Sequence, residues 1–134
     1  GQKFMGVASS MDTTEKKSAN LNANTEYYTI EDLQSYDSED LADGAAASLT
    51  KVMSYVVTGG SGETATLADG TDGQLKMFAL YTDGGGNMVI TVQNAGWKAS
   101  GTGTITLADV GDGVIMVYAA SHWHVVGNNG AALA

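Results

Sequence analysis

The sequence predicts an all-β fold: a small sandwich or barrel-like domain of about seven short strands with an internal repeat, preceded by an extended N-terminal arm with one or two helical turns. Three observations predict it. Short runs of β-branched and aromatic residues succeed one another from Leu49 onward, bounded by glycine-rich turns. Residues 64–79 align with residues 104–119 at eight of sixteen positions, among them Thr64/Thr104, Leu67/Leu107, Asp69/Asp109, Asp72/Asp112 and Ala79/Ala119, so one supersecondary unit is used twice. Glycine supplies 18 of 134 residues and charged side chains only 16%, against usual shares of ~7% and ~25%. That balance suits short strands, or surfaces that partners cover.

Residues 1–44 read as the arm. Up to Tyr28, isolated apolar residues stand among small polar ones with no sustained period. Lys3, Lys16 and Lys17 make its beginning basic, whereas Glu26 to Asp43 carries seven acids and no base. Such asymmetry fits a segment lying along another surface, a solvated tail being the plainer alternative. Thr29-Ile-Glu-Asp32 has the Ser/Thr-x-x-acid form of a helix start, and Ser38-Glu-Asp-Leu41 offers a second cap before Gly44.

The β domain is placed at 45–134, reached through the small-residue run Ala45–Ser48. Its expected strands centre on Val52–Val57, Thr64–Leu67, Leu75–Tyr81, Met88–Val92, Thr104–Leu107, Val114–Tyr118 and Trp123–Val126. Gly59-Gly60, Asp83-Gly84-Gly85-Gly86-Asn87 and Gly127-Asn128-Asn129-Gly130 supply the left-handed backbone of tight connections. In the third strand, alternation puts Leu75, Met77, Ala79 and Tyr81 on one face and Lys76, Phe78 and Leu80 on the other, so both faces are largely apolar. Burying a Leu or Phe side chain is worth roughly 1.5–3 kcal/mol, and covering of the second face by the arm or by another subunit is expected. Phe78, Leu80, His122, Trp123 and His124 are the candidate subunit interface.

Few residues suggest chemistry. The Asp-x-x-Asp-Gly loops at Asp69–Gly73 and Asp109–Gly113 invite a calcium reading, yet they lack the ligand order of an EF-hand and the nine-residue rhythm of calcium β-rolls. Asp and Gly in turns also serve local hydrogen bonding. His122-Trp123-His124 sets two imidazoles on one strand face with Trp on the other, which is part of a transition-metal site, a pH-sensitive element, or a buried Trp flanked by surface histidines. Ser48-Leu-Thr-Lys51 has the Ser-x-x-Lys spacing without its partner motifs, and no nucleophile elbow, phosphate loop or His-Glu-x-x-His occurs. The sequence reading is therefore a non-enzyme with no catalytic residues, no cofactor and no metal.

Composition narrows the partners. Six lysines, no arginine and a net charge of −9 argue against nucleic acid, whose recognition leans on clustered positive charge and the arginine fork. No apolar run approaches the ~18–20 residues that cross a bilayer, the opening residues are too short and mixed for a secretory signal, and Met5 stands where a myristoylation pattern has Ser or Thr. With no cysteine, neither disulfides nor thiolate sites hold the fold.

The repeat, the ending Trp123-His-Val-Val-Gly-Asn-Asn-Gly130, the segment Asp40-Leu-Ala-Asp-Gly-Ala-Ala-Ala-Ser-Leu-Thr50 and the turn Thr82-Asp-Gly-Gly-Gly-Asn87 resemble small virion structural proteins of tailed phages, most of all capsid decoration (cement) proteins. From about residue 40 onward the chain carries this resemblance. It implies a homotrimeric protein on the outer capsid surface of the virion, bound to the major capsid protein and stabilising the head. Under it Lys3, Phe4, Met5, Val7, Lys16, Lys17, Tyr27 and Tyr28 become the capsid-contacting residues of the arm, which attaches by adding to a sheet edge. Two alternatives stay open: a tail-fibre or host-recognition β module binding saccharide through Tyr81, Trp97 and Trp123, and the subunit of an extracellular filament.

Overall fold

In the computed structural model the compact unit is Tyr36–Ala134, and the structure describes residues 37–134. Ten strands make it up: β1 (Ser38–Asp40), β2 (Ala45–Ala46), β3 (Met53–Val57), β4 (Glu63–Leu67), β5 (Leu75–Thr82), β6 (Met88–Val92), β7 (Gly103–Leu107), β8 (Gly113–Ala119), β9 (His122–Asn129) and β10 (Ala132–Leu133). The fold is all-β, with no helix among the described residues. All seven expected strands are present. The three additional ones are two or three residues long, too short for alternation to show.

The strands form two five-stranded sheets, sheet A in the order β1-β3-β5-β8-β9 and sheet B in the order β2-β4-β6-β7-β10. From β1 to β6 the chain passes back and forth between them, laying β1, β3 and β5 in parallel in sheet A and β2, β4 and β6 in parallel in sheet B. This half is three coils of a flattened solenoid. The chain then reverses, and β7, β8, β9 and β10 pair antiparallel with β6, β5, β8 and β7 respectively. The internal repeat now has a structural meaning. Each copy is one strand of sheet B, a crossing loop and one strand of sheet A (β4–β5 and β7–β8), and the two copies meet side by side where β5 pairs with β8.

Alternation fills the space between the sheets. Val56, Phe78, Leu80, Val114 and Met116 point in from sheet A, and Leu67, Met88, Ile90, Val92, Ile105 and Leu107 from sheet B, all of them buried. Trp123 is completely buried, lies edge-on to Tyr118 at 5.1 Å between ring centroids, and donates its indole N–H to the carbonyl of Ala68 at 2.8 Å. An indole that deep needs such an acceptor.

Two expectations about residues 38–44 are corrected. Ser38–Leu41 forms no helix cap: its backbone pairs with β3, Leu41 is buried, and Glu39 turns inward rather than toward a helix amino end. The domain accordingly starts before Ser38 and not at Ala45. The cap at Thr29–Asp32 lies outside the described residues.

Glycines in the connections have two different reasons. Only Gly85 of the Gly84–Gly86 run has a positive φ, 112°. Gly84 and Gly86 are there because the β5–β6 loop lies directly on the β3–β4 loop, where a side chain would run into the carbonyls of Thr58 and Ser61. Neighbouring coils of the solenoid touch through their backbones at that point.

Candidate interaction face

The outer faces of the two sheets differ in chemistry. In sheet B the outward positions of the central strands are Thr64 and Thr66, Val89 and Thr91, and Thr104 and Thr106. Hydroxyls there meet water. In sheet A three rows cross the strands: Leu75–Val117–His124, Met53–Met77–Ile115–Gly127 and Tyr55–Ala79–Gly113. No charged residue stands on any of these rows, and Asp40 of β1, in register with Tyr55, marks their rim.

Leu75 and Ile115 of these rows are 53% and 44% exposed, and Tyr81, next outward on β5, is 72% exposed. The small residues Ala79, Gly113 and Gly127 leave a shallow groove of about 340 Å³ between them, walled by Met53, Met77 and Ile115. Gly113 has no alternative, since a Cβ there would press on the carbonyl oxygen of Phe78 at 2.6 Å. Beside the groove Tyr55 and Tyr81 make an edge-on aromatic pair at 6.3 Å. Contiguous apolar surfaces are common at protein–protein, membrane and ligand contacts.

The candidate interface residues divide between this face and the core. His122 and His124 lie on it, their rings 6.3 Å apart. Phe78, Leu80 and Trp123 do not: each is buried inside this chain at no more than 1% exposure, so their placement at a subunit surface is corrected. The side of β5 that carries Lys76 is the inner one. Leu75, Met77, Tyr81, Ile115 and Val117 replace them. Alternation had already separated Leu75, Met77 and Tyr81 from Phe78 and Leu80, but not which set faced out. Lys3, Phe4, Met5, Val7, Lys16, Lys17, Tyr27 and Tyr28 lie outside the described residues.

Both histidines are tied locally. Nδ1 of His122 bonds the carbonyl of Ala120 and Nε2 of His124 that of Ala119, each at 2.9 Å, so each of these nitrogens carries the proton. They brace the β8–β9 turn. Among the described residues no three His, Cys, Asp or Glu side chains gather as metal ligands. The acids of the two crossing loops likewise serve backbone and side-chain amides: Asp112 Oδ2 accepts the N–H groups of Ala108 and Asp109 at 3.0 Å, and Asp69 accepts the amide of Asn94 at 2.9 and 3.0 Å. Burial first, then the charges of Asp69 and Asp72, pushes the Tyr118 phenol up.

A second polar group lies beneath the face. Lys76 is fully buried and donates to the carbonyls of Ser48 and Lys51 at 2.7 and 2.9 Å, with Glu39 at 3.7 Å. Glu39 in turn accepts from Ser54 Oγ at 2.5 Å and from the N–H of Ser48 at 2.7 Å. Ser54 and Lys76 are closed off from any substrate, so this Ser–Glu–Lys cluster fastens the start of the domain to sheet A. Ser48 of the Ser-x-x-Lys spacing is a turn residue, its Oγ accepting the N–H of Thr50 and of Lys51. Trp97 is partly buried, with its N–H on the carbonyl of Ala134 at 3.0 Å.

Comparison with known protein families, curated proteins and solved structures finds no match to this chain.

Proposed function

We propose that this chain is a structural assembly protein that works by having the outer face of sheet A covered, and that its setting is a phage head, where it acts as a capsid decoration (cement) protein on the outer capsid surface. The observation that carries the assembly reading is the uncharged, apolar set of rows on β3, β5, β8 and β9, over which no other strand of the described residues packs. The virion setting comes from the resemblance of the repeat and of the Trp-His-Val-Val-Gly ending. Residues 1–36, with a basic beginning, supply a second attachment to the capsid lattice. The test is sedimentation of the purified chain with expanded heads. Saturation at a stoichiometry set by the local symmetry axes supports the proposal, and absence of binding across a range of salt concentrations removes it.

A host-recognition module is the second reading, favoured by the solvent-facing Tyr81 beside Tyr55. Stacking on a sugar ring uses such aromatic faces. Cell or saccharide binding that persists after deletion of residues 1–36 and disappears in Tyr81→Ala would support it over cementing.

A further inference from the structure

We infer that Met53 and Met77 form a peroxide-sensitive oxidation site on the outer face of sheet A, and that conversion of their thioethers to sulfoxides makes this face polar and ends its docking. The inference rests on the reading of this face as a covered surface and adds a means of releasing the cover. Position is the first argument. Met53 of β3 and Met77 of β5 are partners in the register of the two strands, and both are partly exposed on the outer side. They begin the row Met53–Met77–Ile115–Gly127, whose members are all apolar, and they wall the groove of about 340 Å³.

The other described methionines give the contrast. Met88 of β6 and Met116 of β8 are fully buried between the sheets. Peroxide reaches a sulfur on the outer face directly, whereas a core sulfur waits for the sandwich to open. Oxidation of the outer pair therefore proceeds with the fold intact. The remaining two of the six methionines, Met5 and Met11, lie outside the described residues.

The step balances with hydrogen peroxide as the oxidant. A sulfur lone pair attacks one peroxide oxygen, an S–O bond forms and the O–O bond breaks; the departing hydroxide takes the proton that the transferred oxygen gives up and leaves as water. Sulfur loses two electrons and peroxide gains them. The product is polar and chiral, and sulfoxide reductases return it to the thioether. Neighbouring strands lie ~4.8 Å apart, so two sulfoxide oxygens would stand side by side in a row that offers them no side-chain donor. An apolar partner covering that row strips water from both, and burying a polar group without a hydrogen bond is unfavourable.

Dilute hydrogen peroxide applied to the full chain under native conditions, followed by peptide mass mapping, tests this. Met53 and Met77 should oxidise roughly tenfold or more faster than Met88 and Met116, whose exposure requires opening of the fold, and the melting temperature should not change. The oxidised chain should elute earlier from a hydrophobic-interaction column. The double variant Met53→Leu with Met77→Leu keeps the face apolar at similar volume and should elute unchanged after the same treatment, which removes any contribution from Met5 and Met11. Sedimentation with expanded heads reads the consequence: peroxide should abolish binding of the parent chain and leave the double variant bound. Equal oxidation of the four described methionines, a lowered melting temperature, unchanged elution, undiminished binding of the oxidised parent, or equal loss of binding in the double variant overturns the inference. An untreated chain that binds no heads removes the decoration reading instead, and the oxidation site then stands or falls on the mapping and the column.

Discussion

Nζ of Lys76 stands 3.7 Å from Oε2 of Glu39 inside the sandwich, a charged pair on the side of β5 that also presents Phe78 and Leu80 to the core. The lysine is fully buried, and its ammonium lies 5.5 Å from the ring centroid of Phe78. It is acceptable there because the carbonyls of Ser48 and Lys51 and the Glu39 carboxylate surround it. These groups come from β1 and from the stretch between β2 and β3, so one side chain ties the first residues of the domain to sheet A.

Removing that ammonium should cost more than removing an ordinary surface charge. Lys76→Met keeps the length of the side chain but leaves the carbonyls of Ser48 and Lys51 without their donor and the Glu39 carboxylate without its counter-charge. Breaking a buried pair from one side costs ~3–5 kcal/mol. The low end applies, because Glu39 keeps 22% of its side chain in solvent. Urea unfolding should show a midpoint lowered accordingly, and Lys76→Met combined with Glu39→Gln should recover part of the loss. An unchanged midpoint in the single variant would mean that the pair contributes nothing to the fold.

Acid should act through Glu39. Burial works against its ionised form, but the hydrogen bonds from Ser54 and Ser48 and the charge of Lys76 outweigh it and hold the carboxyl below its ordinary value of 4.5. A carboxyl depressed in the folded state stabilises fully above the unfolded value, and the contribution disappears as pH falls through the folded one. The loss therefore lies at pH below 4.5. Lys76 acts at the other end: burial lowers its pKa despite the opposing charge of Glu39, so loss of its proton favours folding increasingly as pH rises from the folded value toward 10.5. Unfolding midpoints recorded against pH should fall more gently on the acid side in Glu39→Gln than in the parent chain. Identical acid limbs would contradict the assignment.

Lys76 also explains why the interface was misread. Periodicity shows that β5 has two apolar sides, but a charged residue among Phe78 and Leu80 makes theirs look like the wet side. Its neutralising partners lie 25 to 37 residues earlier in the chain, at distances no local pattern reports. The strands themselves were legible because β-branched runs and glycine turns are local signals, and the repeat was legible because each copy is one continuous strand–crossing–strand unit. The solenoid winding of β1 to β6 was not. Nothing in the residues of β3 and β5 states that they lie parallel, and β1, β2 and β10 are too short to carry a period. Trp123 was correctly opposed to its two histidines by alternation, and only its depth in the core decided against a role at the surface.

The turn between β8 and β9 should be improvable. Its two residues, Ala120 and Ser121, have φ of 50° and 66°, the backbone of a two-residue hairpin that favours Asn-Gly. Alanine and serine pay roughly 1–2 kcal/mol per residue to enter the left-handed region. The paired substitution Ala120→Asn with Ser121→Gly should raise the unfolding free energy by about 1 kcal/mol or more, since the bond from His122 goes to the Ala120 backbone carbonyl and survives the exchange. Calorimetry would register this as a higher melting temperature. No increase would mean that the two histidines already offset the strain of the turn.

Two glycines of similar setting in sequence should respond in opposite ways to alanine. At Gly86 a methyl group would overlap the Ser61 carbonyl oxygen, a backbone atom of the adjacent coil that cannot move without separating the β3–β4 and β5–β6 loops. At Gly127 the nearest atoms to a new Cβ belong to the Ile115 side chain at 3.7 Å or more, ordinary contact distance, and φ is not in the left-handed region. Gly86→Ala should therefore destabilise by at least the ~1–3 kcal/mol typical of overpacking, with early loss of protection at the amide of Gly86, which bonds the Gly59 carbonyl at 2.9 Å. Gly127→Ala should stay within ~0.5 kcal/mol of the parent chain, as surface substitutions usually do, while partly filling the groove on sheet A. Hydrogen exchange on both variants checks the contrast. Equal destabilisation would show that the outer face of sheet A is packed as tightly as the contact between the coils.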